Sequence, residues 1–120
     1  MNSYKDLTVY QKALDLCVQT YKATDKFPKS ELYGLTNQIR RNVVSIPSNI
    51  AEGQKRGYIA EYIQFLRIAY GSGAELETQL LIALKISYID KTEFEKLNNL
   101  LEEIMKMLNK LINVLLKAKN

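Results

Sequence analysis

The amino-acid sequence predicts an all-α protein, an antiparallel up-and-down bundle of four helices. Apolar residues recur at spacings of three and four over four long segments, the turns between these segments are short, and no segment alternates like a β-strand. The 120 residues are 47% hydrophobic and 25% charged, which is typical of a soluble globular protein. We therefore expect one domain that covers residues 1–120.

The first predicted helix runs from Thr8 to about Lys26. Thr8 and Gln11 have the spacing of a capping box, in which side chains bind the free N–H groups of the first turn. Phe27 and Pro28 end the helix, because a residue before proline is pushed out of the helical conformation. The residues expected to be buried are Ala13, Leu14, Cys17 and Tyr21, with Val9 and Val18 beside them.

The second predicted helix runs from about Glu31 to Lys55, behind an N-cap at Ser30, and it crosses Pro47. Its apolar residues keep the same rhythm on both sides of the proline, which a loop at Pro47 would have no reason to preserve. We therefore prefer a helix that bends at Pro47 to a loop. An interior proline costs about 3 kcal/mol, so packing must compensate for it. The apolar positions are Leu32, Leu35, Ile39, Val43, Ile46 and Ile50.

The third predicted helix, from Ile59 to about Ile86, has two glycines in its middle, Gly71 and Gly73. Each interior glycine costs about 1 kcal/mol relative to alanine. We therefore expect either the close approach of a neighbouring helix or a local kink. The apolar stripe of this helix consists of Ile59, Ile63, Leu66, Tyr70, Gly73, Leu76, Leu80 and Leu84.

The fourth predicted helix begins at two overlapping capping boxes, Asp90 with Glu93 and Thr92 with Glu95. Its apolar residues recur at alternating steps of three and four, the a/d spacing of helices that pack nearly parallel or antiparallel to one another. These residues are Phe94, Leu97, Leu101, Ile104, Leu108, Leu111 and Leu115.

The absence of histidine removes the commonest general base and metal ligand, every Ser-His triad and every di-iron site built on Glu-x-x-His. The glutamates at 52, 61, 75 and 77 lack the paired spacing of a metal site. The segment EGQKRG lacks the pattern of a phosphate-binding loop. Cys17 falls among apolar neighbours and is expected to be a buried small hydrophobe rather than a nucleophile. We expect no enzymatic activity, no metal and no cofactor.

The sequence also bears on location. A single cysteine excludes an intramolecular disulfide and fits a reducing compartment. The segment MNSYKDLTVYQKA lacks the pattern of a signal peptide, and no segment reaches the ~18 uninterrupted apolar residues of a membrane span. We expect a cytoplasmic protein with no membrane partner.

A net charge of +4, from 17 Lys/Arg and 13 Asp/Glu, permits attraction to phosphate groups. Basic residues gather on the second and third helices, near Tyr58, Tyr62 and Tyr70. The alternative, which the residues alone favour, is that these cations are simply solvated on exposed helix faces. The candidate nucleic-acid contacts are Arg40, Arg41, Lys55, Arg56 and Arg67.

Two more faces of the second helix are candidates for contacts, one apolar and one polar. Val44 and Ala51 face away from the predicted core and indicate a contact with another subunit. A polar flank leaves two interpretations open. It is either solvated, with Ser45 or Asn49 bonding the backbone near Pro47, or a buried hydrogen-bonded network at a helix or subunit junction. The flank consists of Gln38, Ser45, Asn49, Glu52 and Arg56.

Three segments carry a resemblance to a known family: DLTVYQKALDL, ELYGLTNQIRRNVVSIPSNIAEGQKR and EYIQFLRIAYGSGAELETQL. Together they resemble the four-helix-bundle proteins of the 23S rRNA-intervening-sequence protein family. The resemblance extends from Tyr4 to about Leu115, and its most specific part is the run SIPSNIAEG. Tyr10 stands where many members have tryptophan.

The resemblance implies a function that spacing does not show. Members are often encoded within intervening sequences of the large ribosomal RNA gene. A similar protein, the accessory variability determinant of diversity-generating retroelements, is a homopentamer that binds nucleic acid and partners a reverse transcriptase. By this resemblance we expect a non-enzymatic homo-oligomer, a pentamer, that binds RNA or DNA through phosphate contacts. Its candidate partners include a reverse transcriptase or a ribosomal component. The alternative is a scaffold or protein-interaction module without nucleic-acid binding.

Overall fold

The computed structural model describes residues 3–119, which fold into four α-helices and two short 3-10 helices. Each α-helix packs against the next along the chain, and the first also packs against the last, which closes the bundle. The bundle measures 47 × 23 × 20 Å. The predicted four-helix all-α fold is confirmed. The helices are α1 (Thr8–Thr24), α2 (Leu35–Arg56), α3 (Ile59–Lys85) and α4 (Lys91–Lys119), and the 3-10 helices are Tyr4–Asp6 and Lys29–Glu31.

The core lies along the axis of the bundle and receives apolar side chains from all four helices. On α4 the predicted a/d seam is buried from Leu97 to Leu108, and then Ile112 is buried while Leu111 is only half-buried. The buried position moves from Leu111 to Ile112 because a straight helix repeats every ~3.6 residues, whereas the a/d spacing repeats every ~3.5. Asp90 caps this helix as predicted, since its Oδ1 accepts the N–H of Glu93 at 2.7 Å.

The buried face of α1 agrees with the prediction at Val9 and Ala13 and differs at the other four predicted positions. Leu14, Val18 and Tyr21 are 43–54% exposed, and Cys17 is half-buried. The prediction followed the largest apolar side chains, whereas small residues occupy much of the interface because they let α2 and α4 approach closely. The buried residues of α1 are Val9, Ala13, Leu16, Thr20, Ala23 and Thr24.

The helix α1 begins at Thr8 as predicted, but its capping and its C-terminal end differ from the prediction. The helix begins behind Leu7 without a side-chain cap, and the Gln11 amide donates to the carbonyl of Lys5 at 3.1 Å instead of closing a capping box. It ends at Thr24 rather than Lys26. The Thr24 hydroxyl donates to the carbonyl of Thr20 at 2.8 Å and so keeps its own buried oxygen bonded.

The start predicted for α2 is wrong by about one turn. Gly34 has a backbone conformation outside the helical region, so α2 begins at Leu35, and Ser30 lies in a separate 3-10 turn instead of capping α2. The carboxylate of Glu31 accepts the N–H of Leu35 at 3.2 Å and the hydroxyl of Tyr88 at 2.7 Å. These two bonds, the Tyr88 bond foremost, lower the pKa of Glu31 and tie the start of α2 to the α3–α4 connection.

The helix α2 passes through Pro47 without interruption, as predicted. Proline has no N–H, so the carbonyl of Val43, four residues earlier, lacks its helical donor. The thiol of Cys17 on α1 donates to that carbonyl at 3.2 Å. A neighbouring helix therefore supplies the hydrogen bond that the proline removes, and the bend at Pro47 stays a prediction.

The glycines show where helices approach most closely. A Cβ on Gly53 would lie 2.7 Å from the Cβ of Phe65, and one on Gly73 would overlap Met105 of α4. A Cβ on Gly71 would meet nothing within 4 Å. The expected close approach therefore holds at Gly73 and not at Gly71.

The apolar stripe predicted for α3 is buried along most of its length, but its residues Ile59 and Tyr70 are exposed. None of the described helices is long and apolar enough to cross a membrane.

Candidate functional site

Polar side chains join α2 to α3 along one side of the bundle. The Asn42 amide donates to Gln79 Oε1 at 3.1 Å and lies 3.5 Å from Glu75 Oε2. The Gln79 amide in turn lies 3.5 Å from Gln38 Oε1. As residue numbers rise on α2 they fall on α3, because the two helices are antiparallel and are joined by only two residues.

The same row continues toward Pro47. The hydroxyls of Ser45 and Ser72 share a hydrogen bond of 2.8 Å, and the Asn49 amide donates to both the carbonyl and the hydroxyl of Ser45 at 2.8 Å. Both interpretations of the polar flank therefore hold in part, since Asn49 bonds the backbone beside the proline and Ser45 bonds across the helix junction. Glu52 lies outside this network and pairs with Arg56 instead.

An open groove of about 420 Å³ lies beside these side chains, and we call it the α2–α3 groove. Tyr33 is 91% exposed, which makes it the most exposed large apolar side chain of the described residues. Arg41 is also exposed and makes no ion pair within residues 3–119. The α2–α3 groove is lined by Tyr33, Asn37, Gln38, Arg41, Asn42, Glu75 and Gln79.

Arg41 also borders a second groove, of about 500 Å³, between α1 and α2. Tyr21 and Val44 line it together with Asn37 and Arg40. Arg40 also borders two grooves, but Arg41 is the one of the two that makes no ion pair within residues 3–119.

Arg40 is half-buried and is held against the end of α1. Its Nε donates to the Thr24 hydroxyl at 2.9 Å, and another guanidinium nitrogen lies 3.4 Å from the Tyr21 carbonyl and 3.9 Å from Asp25 Oδ1. Its guanidinium carbon also lies 4.5 Å from the centre of the Tyr21 ring. A cation at the C-terminus of a helix is favourable, so Arg40 stabilises the end of α1.

Arg56 is also engaged by neighbours. It pairs with Glu52 at 2.8 Å and Glu61 at 3.3 Å, and its guanidinium lies 4.9 Å from the centre of the Phe65 ring. The hydrogen bond to Glu52 is the main cause of its raised pKa. Lys55, beside it, is exposed and makes no ion pair among the described residues.

The five predicted cations do not form one patch. Arg41 and Arg56 are separated by about 22 Å along α2, since a helix rises about 1.5 Å per residue. Arg67 lies on another side of the bundle, in a groove of about 350 Å³ between α3 and α4 that Tyr70 and Asn109 also line. Arg67 makes no ion pair in the part of the chain that the structure describes.

Several residues of the α2–α3 groove are not among the predicted binding residues, chiefly Tyr33 and the α3 residues Glu75 and Gln79. A signal for the network was present. Polar residues on α2 recur at steps of four, three and four, and those on α3 at steps of three and four, as in a seam between helices. The two polar rows are Gln38, Asn42, Ser45 and Asn49 on α2 and Ser72, Glu75 and Gln79 on α3.

An apolar strip lies on the outside of α1 and α2, and we call it the α1–α2 face. It consists of Leu14, Val18 and Tyr21 on α1 and Val44 on α2. Of the two predicted interface residues, Val44 is 40% exposed and Ala51 is half-buried.

The described residues offer little for covalent or metal chemistry. Burial raises the pKa of the Cys17 thiol from 9.0 to about 11, so the nucleophilic thiolate is scarce at neutral pH. Within residues 3–119 no group of three His, Cys, Asp or Glu side chains could hold a metal ion.

Comparisons with known proteins agree with this architecture. A family model described as 23S rRNA-intervening sequence protein matches residues 5–110. A crystal structure from Bacteroides thetaiotaomicron VPI-5482, described as a protein with unknown function from the S23 ribosomal protein family, is 30% identical. It superposes with a TM-score of 0.79 over 88% of this chain and 98% of its own. A comparison with curated proteins finds no match. The chain belongs to the 23S rRNA-intervening sequence protein family.

Proposed function

We propose that this protein is a non-enzymatic homo-oligomeric bundle that binds RNA through phosphate contacts. The observation that carries the proposal is Arg41, an exposed guanidinium without an ion pair in residues 3–119, at the border of two grooves and beside the exposed ring of Tyr33. A net charge of +4 favours an anionic partner. The family description, which refers to ribosomal RNA, favours RNA.

The five candidate cations do not contribute equally to this proposal. Arg41, Lys55 and Arg67 are free to neutralise phosphates, whereas Arg40 and Arg56 would first have to give up bonds within the protein. Because the free cations are dispersed, we expect these three side chains to contact the RNA backbone, which carries no sequence information of its own. Duplex DNA offers the same phosphates and is the competing ligand.

Self-association is the second part of the proposal, and it rests on the α1–α2 face. Leu14, Val18 and Tyr21 follow one another at steps of four and three, the spacing at which a helix packs against another helix. A second copy of the chain carries a matching apolar strip, and Val44 widens it. The pentamer, and a reverse transcriptase or ribosomal component as partner, come from the resemblance to the accessory variability determinant and the family alone.

RNA binding is tested by titrating labelled RNA and duplex DNA at about 50 and 200 mM salt, where counterion release separates phosphate contacts from other contacts. We expect affinity to fall steeply with salt, and each lost contact to flatten the salt slope by about 0.7–0.9. The variant Arg41→Ala/Lys55→Ala/Arg67→Ala should bind all sequences more weakly. The charge-matched control changes three other exposed lysines, Lys5, Lys91 and Lys96, to alanine.

The outcomes separate three situations. If the wild type binds no RNA at low salt, the alternative of a scaffold or protein-interaction module replaces this proposal; the exposed α1–α2 face is the observation that favours that alternative. If both triple variants bind as the wild type does, the predicted surface is wrong. If the control loses as much affinity as the test variant, net charge rather than these three side chains drives the binding.

A further inference from the structure

The α2–α3 groove combines two kinds of side chain that bind unpaired nucleotides, an aromatic ring and a cation. Tyr33 places an aromatic ring at its edge, 91% exposed. Arg41 places a planar cation in the same groove. Proteins that bind single strands stack bases on aromatic rings and hold the backbone with cations, whereas bases inside a duplex have no free face to stack.

The rest of the groove is polar and suits the edge of a base. Asn37, Gln38 and Asn42 offer carboxamides, which both donate and accept hydrogen bonds. Glu75 offers a carboxylate that can only accept, and its neighbour in the groove, the Asn42 amide, lies at the long distance of 3.5 Å. The volume of about 420 Å³ falls within the range of small-ligand sites, about 300–1,000 Å³.

We infer that the α2–α3 groove binds one nucleotide of an unpaired RNA strand, with its base on Tyr33 and its phosphate on Arg41. This inference rests on the proposed RNA binding and names the form of RNA and the site. It also has a consequence for base preference. The carboxylate of Glu75 accepts from the amino group of cytosine, as acidic side chains do in major grooves, but it repels the carbonyl oxygen that uracil carries at the same position. A short cytidine strand should therefore bind more tightly than a uridine strand.

The test compares oligocytidine, oligouridine and an RNA duplex of equal length against the full chain. We expect the single strands to bind better than the duplex, and Tyr33→Ala to weaken single-strand binding by about 5-fold or more. Tyr33→Phe keeps the ring and should bind like the wild type. Arg41→Ala should weaken single-strand binding as well, and Lys96→Ala, which removes an exposed lysine of α4, is the control for loss of a cation elsewhere. Because Tyr33 is exposed, Tyr33→Ala should fold normally, which circular dichroism checks.

Glu75→Gln tests the base preference independently. This change removes a negative charge and so raises RNA affinity in general; the informative quantity is therefore the ratio of cytidine to uridine affinity, which should fall to near one. If the wild type binds RNA but Tyr33→Ala binds single strands equally well, the groove is the wrong site and the proposed function stands. If Tyr33→Ala changes the sedimentation of the protein and not its RNA affinity, the groove is a contact between copies. If the wild type binds no RNA, both proposals fail.

Discussion

Pro47 and Cys17 show how single residues on different helices depend on each other. The proline leaves the carbonyl of Val43 without its helical donor, and the Cys17 thiol reaches that carbonyl from α1. A thiol is a weak donor, but a buried carbonyl with no partner costs about 1–3 kcal/mol. The proline in α2 is thus tolerated because of a side chain on another helix.

A double-mutant cycle tests this dependence. Cys17→Ala should destabilise the wild type by about 1–3 kcal/mol, because it removes the donor to Val43. In a Pro47→Ala background the new N–H can serve the carbonyl of Val43, so the same change should cost about 1 kcal/mol less. Urea unfolding of the four proteins gives the coupling energy. Equal costs in the two backgrounds would show that the thiol packs there without serving the carbonyl.

Cys17 also predicts a dependence on pH. Burial favours the neutral thiol and raises its pKa from 9.0 to about 11, so its contribution to stability is complete below pH 9.0 and is lost as the pH rises toward about 11. Iodoacetamide should modify the folded protein slowly at pH 8, and urea should accelerate the reaction. Across this pH range the wild type should lose more stability than Cys17→Ser. Rapid alkylation of the folded protein would contradict the burial of this thiol.

At the scale of the helices, two glycines with the same local propensity have different roles. Gly53 allows α2 and α3 to touch, since a Cβ there would lie 2.7 Å from the Cβ of Phe65 and 3.4 Å from the Cα of Tyr62. Gly71 lies in the middle of α3 with open space around it. The first glycine is required by packing, whereas the second is required by nothing that the structure shows.

Replacing these two glycines by alanine should therefore have opposite effects on the free energy of unfolding. Gly71→Ala should stabilise the protein by up to about 1 kcal/mol, because alanine is the better helix former. Gly53→Ala should destabilise it by about 1–3 kcal/mol, because the added methyl forces α2 and α3 apart. Thermal or urea unfolding of the two variants decides this. A stabilised Gly53→Ala protein would mean that the α2–α3 hairpin can open at this point without loss.

At the scale of the whole molecule, self-association depends on whether exposed apolar side chains lie together on one face. Three residues of α1 and one of α2 share one face, the α1–α2 face, while Val114 lies exposed on α4. The free cations, in contrast, do not cluster, since Arg41, Lys55 and Arg67 belong to three separate regions. Within residues 3–119 the α1–α2 face gathers four exposed apolar side chains, whereas the three free cations share no face, and assembly into an oligomer would bring cations of several copies together.

Val44→Glu tests whether the α1–α2 face joins copies of the chain. The wild type should sediment at micromolar concentration as a species well above 13.8 kDa. Glutamate at position 44 should dissociate it, because an unpaired charge buried at a contact is costly. Val114→Glu, which changes an exposed valine of α4, is the matched control and should leave the assembly intact. A wild type that sediments only at 13.8 kDa would end the proposal of self-association.

The number of helices, the continuation of α2 through Pro47 and the capping of α4 by Asp90 were all predictable from the sequence. Each depends on residues within a turn or two of one another, and helical periodicity is a local property. The absence of histidine is equally definite, because no fold can supply a missing imidazole. These features determined the fold class and the kinds of chemistry that the chain lacks.

Only the tertiary structure decided which face of α1 is buried, where α2 begins and which cations are free. Leu14 and Val18 satisfy the pattern of a core residue, but the small side chains at positions 20 and 23 face the core instead, because they fit between helices that approach closely. Arg40 and Arg41 look alike in the sequence, yet Arg40 bonds to Thr24 on α1 whereas Arg41 makes no ion pair among the described residues. The α2–α3 groove forms only when residues of two helices lie side by side. The spacing of residues within one helix does not specify which residues of another helix they will face.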